Sequence, residues 1–395
     1  MSIQTYPEVL RIVLDPAAAL LSLSESGSGS KPFPKTTAPD DPDSDSDTDP
    51  ENEQSVKDGN SMKGFASGTG PLLTDPSPDA ARGFFREKSR AMTDKVMSVG
   101  EAVARFVHDG DYLASGGFGT NRITTALLHE IVRRRKKDLG LAGHTATHDF
   151  QILCAGNRNG EKLLTRVDAA YIVGLEARGL SPQARRVMQS GEIEVCEWTN
   201  YALACRLRAA AMGIPYIPVR CMLGTDTFAR SAAKEIECPF TGTKLAALPA
   251  LYPDVAMIHV HESDPFGNCR IRGITVADVE LARAAKRLII TAERLISNDD
   301  IRGAPHATVI PAFCVDAVCE VPYGSYPGNM PGEYFSDEDH LRAWLEAEKD
   351  EAGFAAFLEK YIYGVPDFES YLELCGGAKR MKELRALEWL QPAGE

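Results

Sequence analysis

Apolar and polar positions change rhythm near residue 95 of this 395-residue chain. From Lys95 onward, short apolar runs alternate with stretches whose apolar positions recur every three to four residues. These are the periods of strands and of amphipathic helices. Ser98-Val99-Gly100-Glu101 fits a capping box, and Ala102, Val103, Phe106 and Val107 then share one helical face. Residues 108–111 break that helix, Tyr112–Ser115 reads as a strand, and Gly116-Gly117-Phe118-Gly119 leads into a second helix over 124–135. Further strands are predicted at 169–173, 216–220, 255–260, 288–291 and 314–321. Helices are predicted at 200–212 and 276–285, with several more over 336–387. The repeated order of helix, strand, glycine loop and helix predicts an α/β fold: an open, mostly parallel sheet with flanking helices and a helical C-terminal part.

The first quarter of the chain lacks this rhythm. Residues 22–30 have the serine and glycine content of a flexible linker. Residues 40–53 hold eight acids, no base and no aromatic, interrupted by Pro42 and Pro50. Such a composition buries too little apolar surface to offset its ordering entropy. Residues 1–91 are therefore expected to form an acidic, disordered extension, and 92–395 the folded domain, with Met92 a second candidate start. Of the net charge of -13, -6 falls in residues 1–91. Neither part is basic, which argues against sequence-independent attraction to nucleic-acid phosphates. The nine cysteines show no CxxC spacing, so reduced core thiols are expected. No run approaches 18 apolar residues and no secretory leader opens the chain, so a cytoplasmic protein without a membrane span is expected.

The loop after the first strand is the most informative local feature. In Ser115-Gly116-Gly117-Phe118-Gly119-Thr120-Asn121-Arg122, three glycines stand where a strand hands over to a helix. Glycine tolerates positive φ and lets a backbone approach a ligand, and a helix N-terminus favours an anion. Gly116, Gly117, Phe118, Gly119, Thr120, Asn121 and Arg122 are thus the candidate substrate loop. The spacing fits neither G-x-G-x-x-G nor a P-loop. His144 and His148 fall in the next strand-end loop and are pocket candidates, as are Asn200, Gly267 and Asn268. His259 and His261 alternate on one strand, but no third ligand completes a metal site, so none is expected.

The stretch 109–118, an acidic-glycine turn, an apolar strand and Gly-Gly-Phe, resembles the opening motif of class I coenzyme A-transferases. Residues 209–219, 255–260 with Gly267 and Asn268, 282–286, 296–302, and 315–318 with 322–324 resemble glutaconate CoA-transferase α subunits, in the same order. Where the wider family has Gly-x-Pro after Gly-Gly-Phe, this chain has Arg122-Ile123-Thr124, as the glutaconate-type branch does at the arginine. The resemblance implies the NagB/RpiA/CoA-transferase fold. It also implies an α subunit that works with a β subunit, in an α2β2 complex, on a CoA thioester as substrate with no permanently bound cofactor. The nucleophilic glutamate would lie on the β subunit, with no catalytic residue in this chain. Gly117 and Phe118 N–H groups would stabilise the oxyanion, and Asn121 and Arg122 would orient a small acid, dicarboxylic or 3-oxo. Related ring-opening hydrolases carry a glutamate where this chain has Asn200, which favours transfer over hydrolysis. A thioester hydrolase and a non-catalytic ligand-binding regulatory module are the rival readings.

Overall fold

The computed structural model describes residues 64–172 and 179–390. The linker and the acidic run read in the sequence lie outside the described residues. In chain order, α1 (Pro78–Glu87) and α2 (Val99–Phe106) precede β1 (Tyr112–Ser115), α3 (Thr125–Arg133), β2 (Leu139–His144) and α4 (His148–Ala155). Then come β3 (Leu164–Ala170), α5 (Pro182–Gln189), β4 (Glu194–Glu197), α6 (Asn200–Met212), β5 (Tyr216–Val219) and α7 (Asp226–Ala229). β6 (Lys234–Glu237), β7 (Lys244–Pro249), β8 (Val255–Ser263), β9 (Cys269–Arg270), α8 (Asp278–Ala284) and β10 (Arg287–Leu295) follow. The chain closes with α9 (Asn298–Gly303), β11 (Ala317–Glu320), α10 (Glu338–Ala347), α11 (Glu351–Leu358), α12 (Phe368–Leu374) and α13 (Gly377–Glu388).

The main sheet has the order β11-β10-β8-β1-β2-β3-β4, with β9 added antiparallel to β8. Every neighbouring pair along that path is parallel. From β1 the chain winds outward through β2, β3 and β4, then returns to the other side of β1 as β8, β10 and β11. The connections after β1 and β8 therefore diverge, and a crevice opens outside the carboxyl ends of these two strands. The glycine loop leaves β1 at that point.

Strand alternation divides the core into two layers. Leu113 of β1 and Val255 and Met257 of β8 face a cluster with α2, α3, α4 and the C-terminal helices. Tyr112, Ala114, Ala256, Ile258 and Val260 face the other cluster, with α1, α6 and α8. The expected α2 capping box is present, with Ser98 Oγ accepting from Glu101 N–H and the Glu101 carboxylate accepting from Ser98 N–H. β1 and α6 have the predicted bounds.

Two sequence expectations need correction. The strand at Tyr216 does not join the parallel sheet; it forms a separate antiparallel sheet in the order β5-β7-β6. The folded body also begins before residue 92. Gly68 N–H donates to the Ala233 carbonyl at 2.8 Å and Gly70 N–H to Ser231 at 2.9 Å. Ser77 caps α1, Ala81 is buried in the second core layer, and Lys88 Nζ meets Asp316 at 2.7 Å. Among the described residues no helix is long and apolar enough to cross a membrane.

Candidate functional site

The loop after β1 is held by its own backbone, by a buried ion pair and by a distant segment. Gly117 (φ +82°), Gly119 (+64°) and Arg122 (+59°) all take left-handed conformations. Phe118 and Asn121 exchange both backbone hydrogen bonds at 2.9 Å, closing the tip. Gly117 N–H donates to Asp278 Oδ1 at 2.9 Å, and Arg122 Nη2 donates to Asp278 Oδ2 at 2.6 Å. The same guanidinium reaches the Ile274 carbonyl at 2.6 Å. Arg122 is 0% and Asp278 1% exposed, so this pair is wholly internal. Burial pushes the Asp278 carboxyl up, opposed by the Arg122 charge. Arg122 N–H donates to the Asn329 carbonyl, and Asn329 N–H to Thr120, both at 2.9 Å. The 323–325 turn alongside is tied to Glu293. That carboxylate accepts from Tyr323 N–H at 2.8 Å and Tyr334 Oη at 2.9 Å, and pairs with His259 Nε2 at 2.7 Å.

The other wall comes from the ends of β2 and β4. His144 closes β2 with its ring centroid 6.3 Å from that of Phe118, a side chain 43% exposed at the loop tip. Burial holds the imidazole below its ordinary pKa, so it is neutral near pH 7, and its Nδ1 has no hydrogen-bond partner. Thr147 Oγ1 donates to the Gly119 carbonyl at 2.5 Å. Asn200, the first residue of α6, donates from Nδ2 to Thr145 Oγ1 at 2.9 Å. Its Oδ1, and that of Asn121, are buried without partners. A small cleft lined by Ser115, Gly116, Gly117, His144 and Asp278 runs between the two walls. A left-handed Arg122, a neutral buried imidazole and unpartnered amide oxygens gather at a topological switch point, and this makes the loop and its surroundings the candidate site.

Comparison with known proteins adds a second line of observation. The family model for coenzyme A transferase matches residues 96–321, the parallel sheet from before β1 through β11. This chain belongs to the coenzyme A transferase family. It is 32% identical over 75% of its length to the A subunit of glutaconate CoA-transferase from Acidaminococcus fermentans, covering 96% of that protein. It is 36% identical over 70% of its length to the A subunit of 3-oxoadipate CoA-transferase from Pseudomonas knackmussii, covering 96% of that protein. The crystal structure of the Acidaminococcus fermentans glutaconate enzyme superposes with a TM-score of 0.69 at 31% identity, over 74% of this chain and 95% of that one.

The fold of this CoA-transferase chain brings together residues 116–122, His144 and Asn200, and separates the rest. His148 turns away into the core, its Nδ1 3.1 Å from Gln151 Oε1 and its ring 4.8 Å from that of Trp344. Gly267 and Asn268 shape the β8–β9 turn. Asn268 bonds Asp264 at 2.8 Å and accepts from Ala312 N–H at 3.0 Å, and none of these bonds reaches the glycine loop. His259 bonds Thr291 and Glu293, and His261 Nε2 donates to the Pro331 carbonyl at 2.8 Å. Among the described residues no group of three or more ligating side chains could hold a metal.

The expected oxyanion donors are also corrected. Gly117 N–H is taken by Asp278 and Phe118 N–H by Asn121, so neither is free. Arg122 is likewise committed inside the chain and cannot clamp an acid as placed. The residues missed in the sequence are Asp278, Thr147 and Asn329. Asp278 stands in the first turn of a helix, where an acid is unremarked because it suits the dipole. Its partner lies 156 positions away.

Proposed function

We propose that this chain is the α subunit of a heteromeric, glutaconate-type CoA-transferase. It would move CoA from an acyl-CoA to a small carboxylic acid, dicarboxylic or 3-oxo, with a β subunit closing the site. One observation carries the reading: among the described residues, every carboxylate bonded into the candidate site is already committed. Asp278 holds Gly117 and Arg122, and Asp149 accepts from Thr147 and Phe150 N–H at 2.8 and 2.9 Å. Asn200 offers an amide where a carboxylate would be needed. A nucleophile supplied by a β subunit fits this arrangement, and the relatives are themselves single, lettered subunits of CoA-transferases.

In that chemistry a partner glutamate attacks the thioester carbonyl, expelling CoA thiolate and forming an acyl-glutamyl anhydride. The thiolate attacks the glutamyl carbonyl of the anhydride, releasing the first acid and leaving a glutamyl-CoA thioester. The acceptor carboxylate repeats both steps in reverse, and the glutamate is regenerated with no net proton change. This chain would supply one wall: the glycine loop for close backbone approach, and His144, Asn121 and Asn200 as neutral polar contacts.

The test is CoA transfer by the chain co-purified with its β subunit, with acetyl-CoA or succinyl-CoA as donor and glutaconate or 3-oxoadipate as acceptor. Acceptor-dependent formation of a new acyl-CoA is expected. Release of free CoA at the same rate without an acceptor acid would make it a hydrolase and refute the reading.

A further inference from the structure

We infer that the Arg122–Asp278 pair is the latch that positions the glycine loop against the acyl group, with Asp278 a positioning residue acting through Gly117. This rests on the transferase reading above. The pair is tied to the loop at both ends, Asp278 through Gly117 N–H and Arg122 as a member of the loop. Arg122 also reaches the Ile274 carbonyl at 2.6 Å and the His259 carbonyl at 3.4 Å, so the latch spans the β1 and β8 sides of the crevice. A buried pair is a poor route to stability, since apolar residues of the same volume often do as well or better. What it provides here is geometry. Three left-handed residues, at positions 117, 119 and 122, lie within six positions, and the latch holds two of them.

The latch also determines which donors remain. With Gly117 and Phe118 N–H engaged, the N–H groups of Gly119 and Thr120 make no hydrogen bond among the described residues. Thr147 Oγ1 donates to the Gly119 carbonyl at 2.5 Å and fixes that peptide. The Gly119 and Thr120 N–H groups are the loop's remaining backbone donors for a thioester carbonyl once the loop is held in this conformation. Asp278 and Arg122 act through the loop; with both its carboxylate oxygens engaged, Asp278 sets the conformation in which those donors are presented.

Two variants separate positioning from bulk stability. Asp278→Glu keeps both charges and moves the carboxylate by one methylene. Arg122→Met with Asp278→Leu removes both charges together, which avoids leaving one buried and unpaired. In the complex with the β subunit, kcat with succinyl-CoA is expected to fall about tenfold in the first and about 100-fold in the second, with KM within about threefold in both. Amide exchange over 116–122 should quicken in both, while the melting temperature of Asp278→Glu stays within a few degrees. Wild-type kcat in Asp278→Glu, or unchanged exchange over 116–122, would overturn the latch. If the wild-type complex transfers no CoA at all, the transferase reading fails instead, and the exchange measurement alone decides the latch.

Discussion

Gly117 stands at φ +82° in a position where an added Cβ would overlap the Asn121 carbonyl oxygen and the Arg122 backbone. Replacing it with valine forces both a disfavoured backbone and a clash with main chain. Gly117→Val should lower kcat at least ~100-fold and also lower the melting temperature; wild-type kinetics would remove the loop from the site. Asp149 makes a different test. Burial pushes its carboxyl from 3.8 up to about 6. The native state therefore holds a proton that the unfolded state has lost, and stability from this group falls as pH rises from about 4 to 6, by roughly 3 kcal/mol. Asp149→Asn keeps both N–H acceptor bonds without the charge, so its urea midpoint should change less over that window and lie above wild type at pH 7. An unchanged slope would show that Asp149 titrates normally. The glycines were legible in the sequence because tolerance of positive φ is a property of residue type, whereas the left-handed backbone of Arg122 was not legible. Asp278 was not, because its role exists only once β1 and α8 meet.

Elements were legible where the local signal and the tertiary context agree. The α2 capping box and the bounds of β1 and α6 were all readable, since each depends on residues close in sequence. β5 was found as a strand but given the wrong sheet, because strand pairing is set by contacts that periodicity does not encode. The start of the domain was misplaced for a related reason. Residues 64–91 are polar and rich in small residues, and their order comes from partners far along the chain: Ala233, Ser231 and Asp316. A chain beginning at Met92 should lose several degrees of melting temperature relative to one beginning at Gly64. It would give up the packing of α1 and leave Asp316 without its buried lysine partner. Equal melting temperatures would show that the segment adds nothing.

At the scale of the whole molecule, the doubly wound order places the glycine loop at the one point where the chain leaves β1 in one direction and β8 in the other. The α/β class and this loop were legible because both follow from the order of elements. The proposed division of labour rests in the sequence on Asn200 standing where related hydrolases carry a glutamate, and that position acquires meaning only once the neighbours of the loop are known. The most direct measurement is CoA transfer from succinyl-CoA by the isolated chain and by its complex with a β subunit, followed by borohydride trapping and mass spectrometry. The expected result is no transfer by the chain alone, transfer by the complex, and the trapped glutamyl thioester on the β subunit. Robust transfer by the chain alone, with the trapped group on one of its own carboxylates, would contradict it.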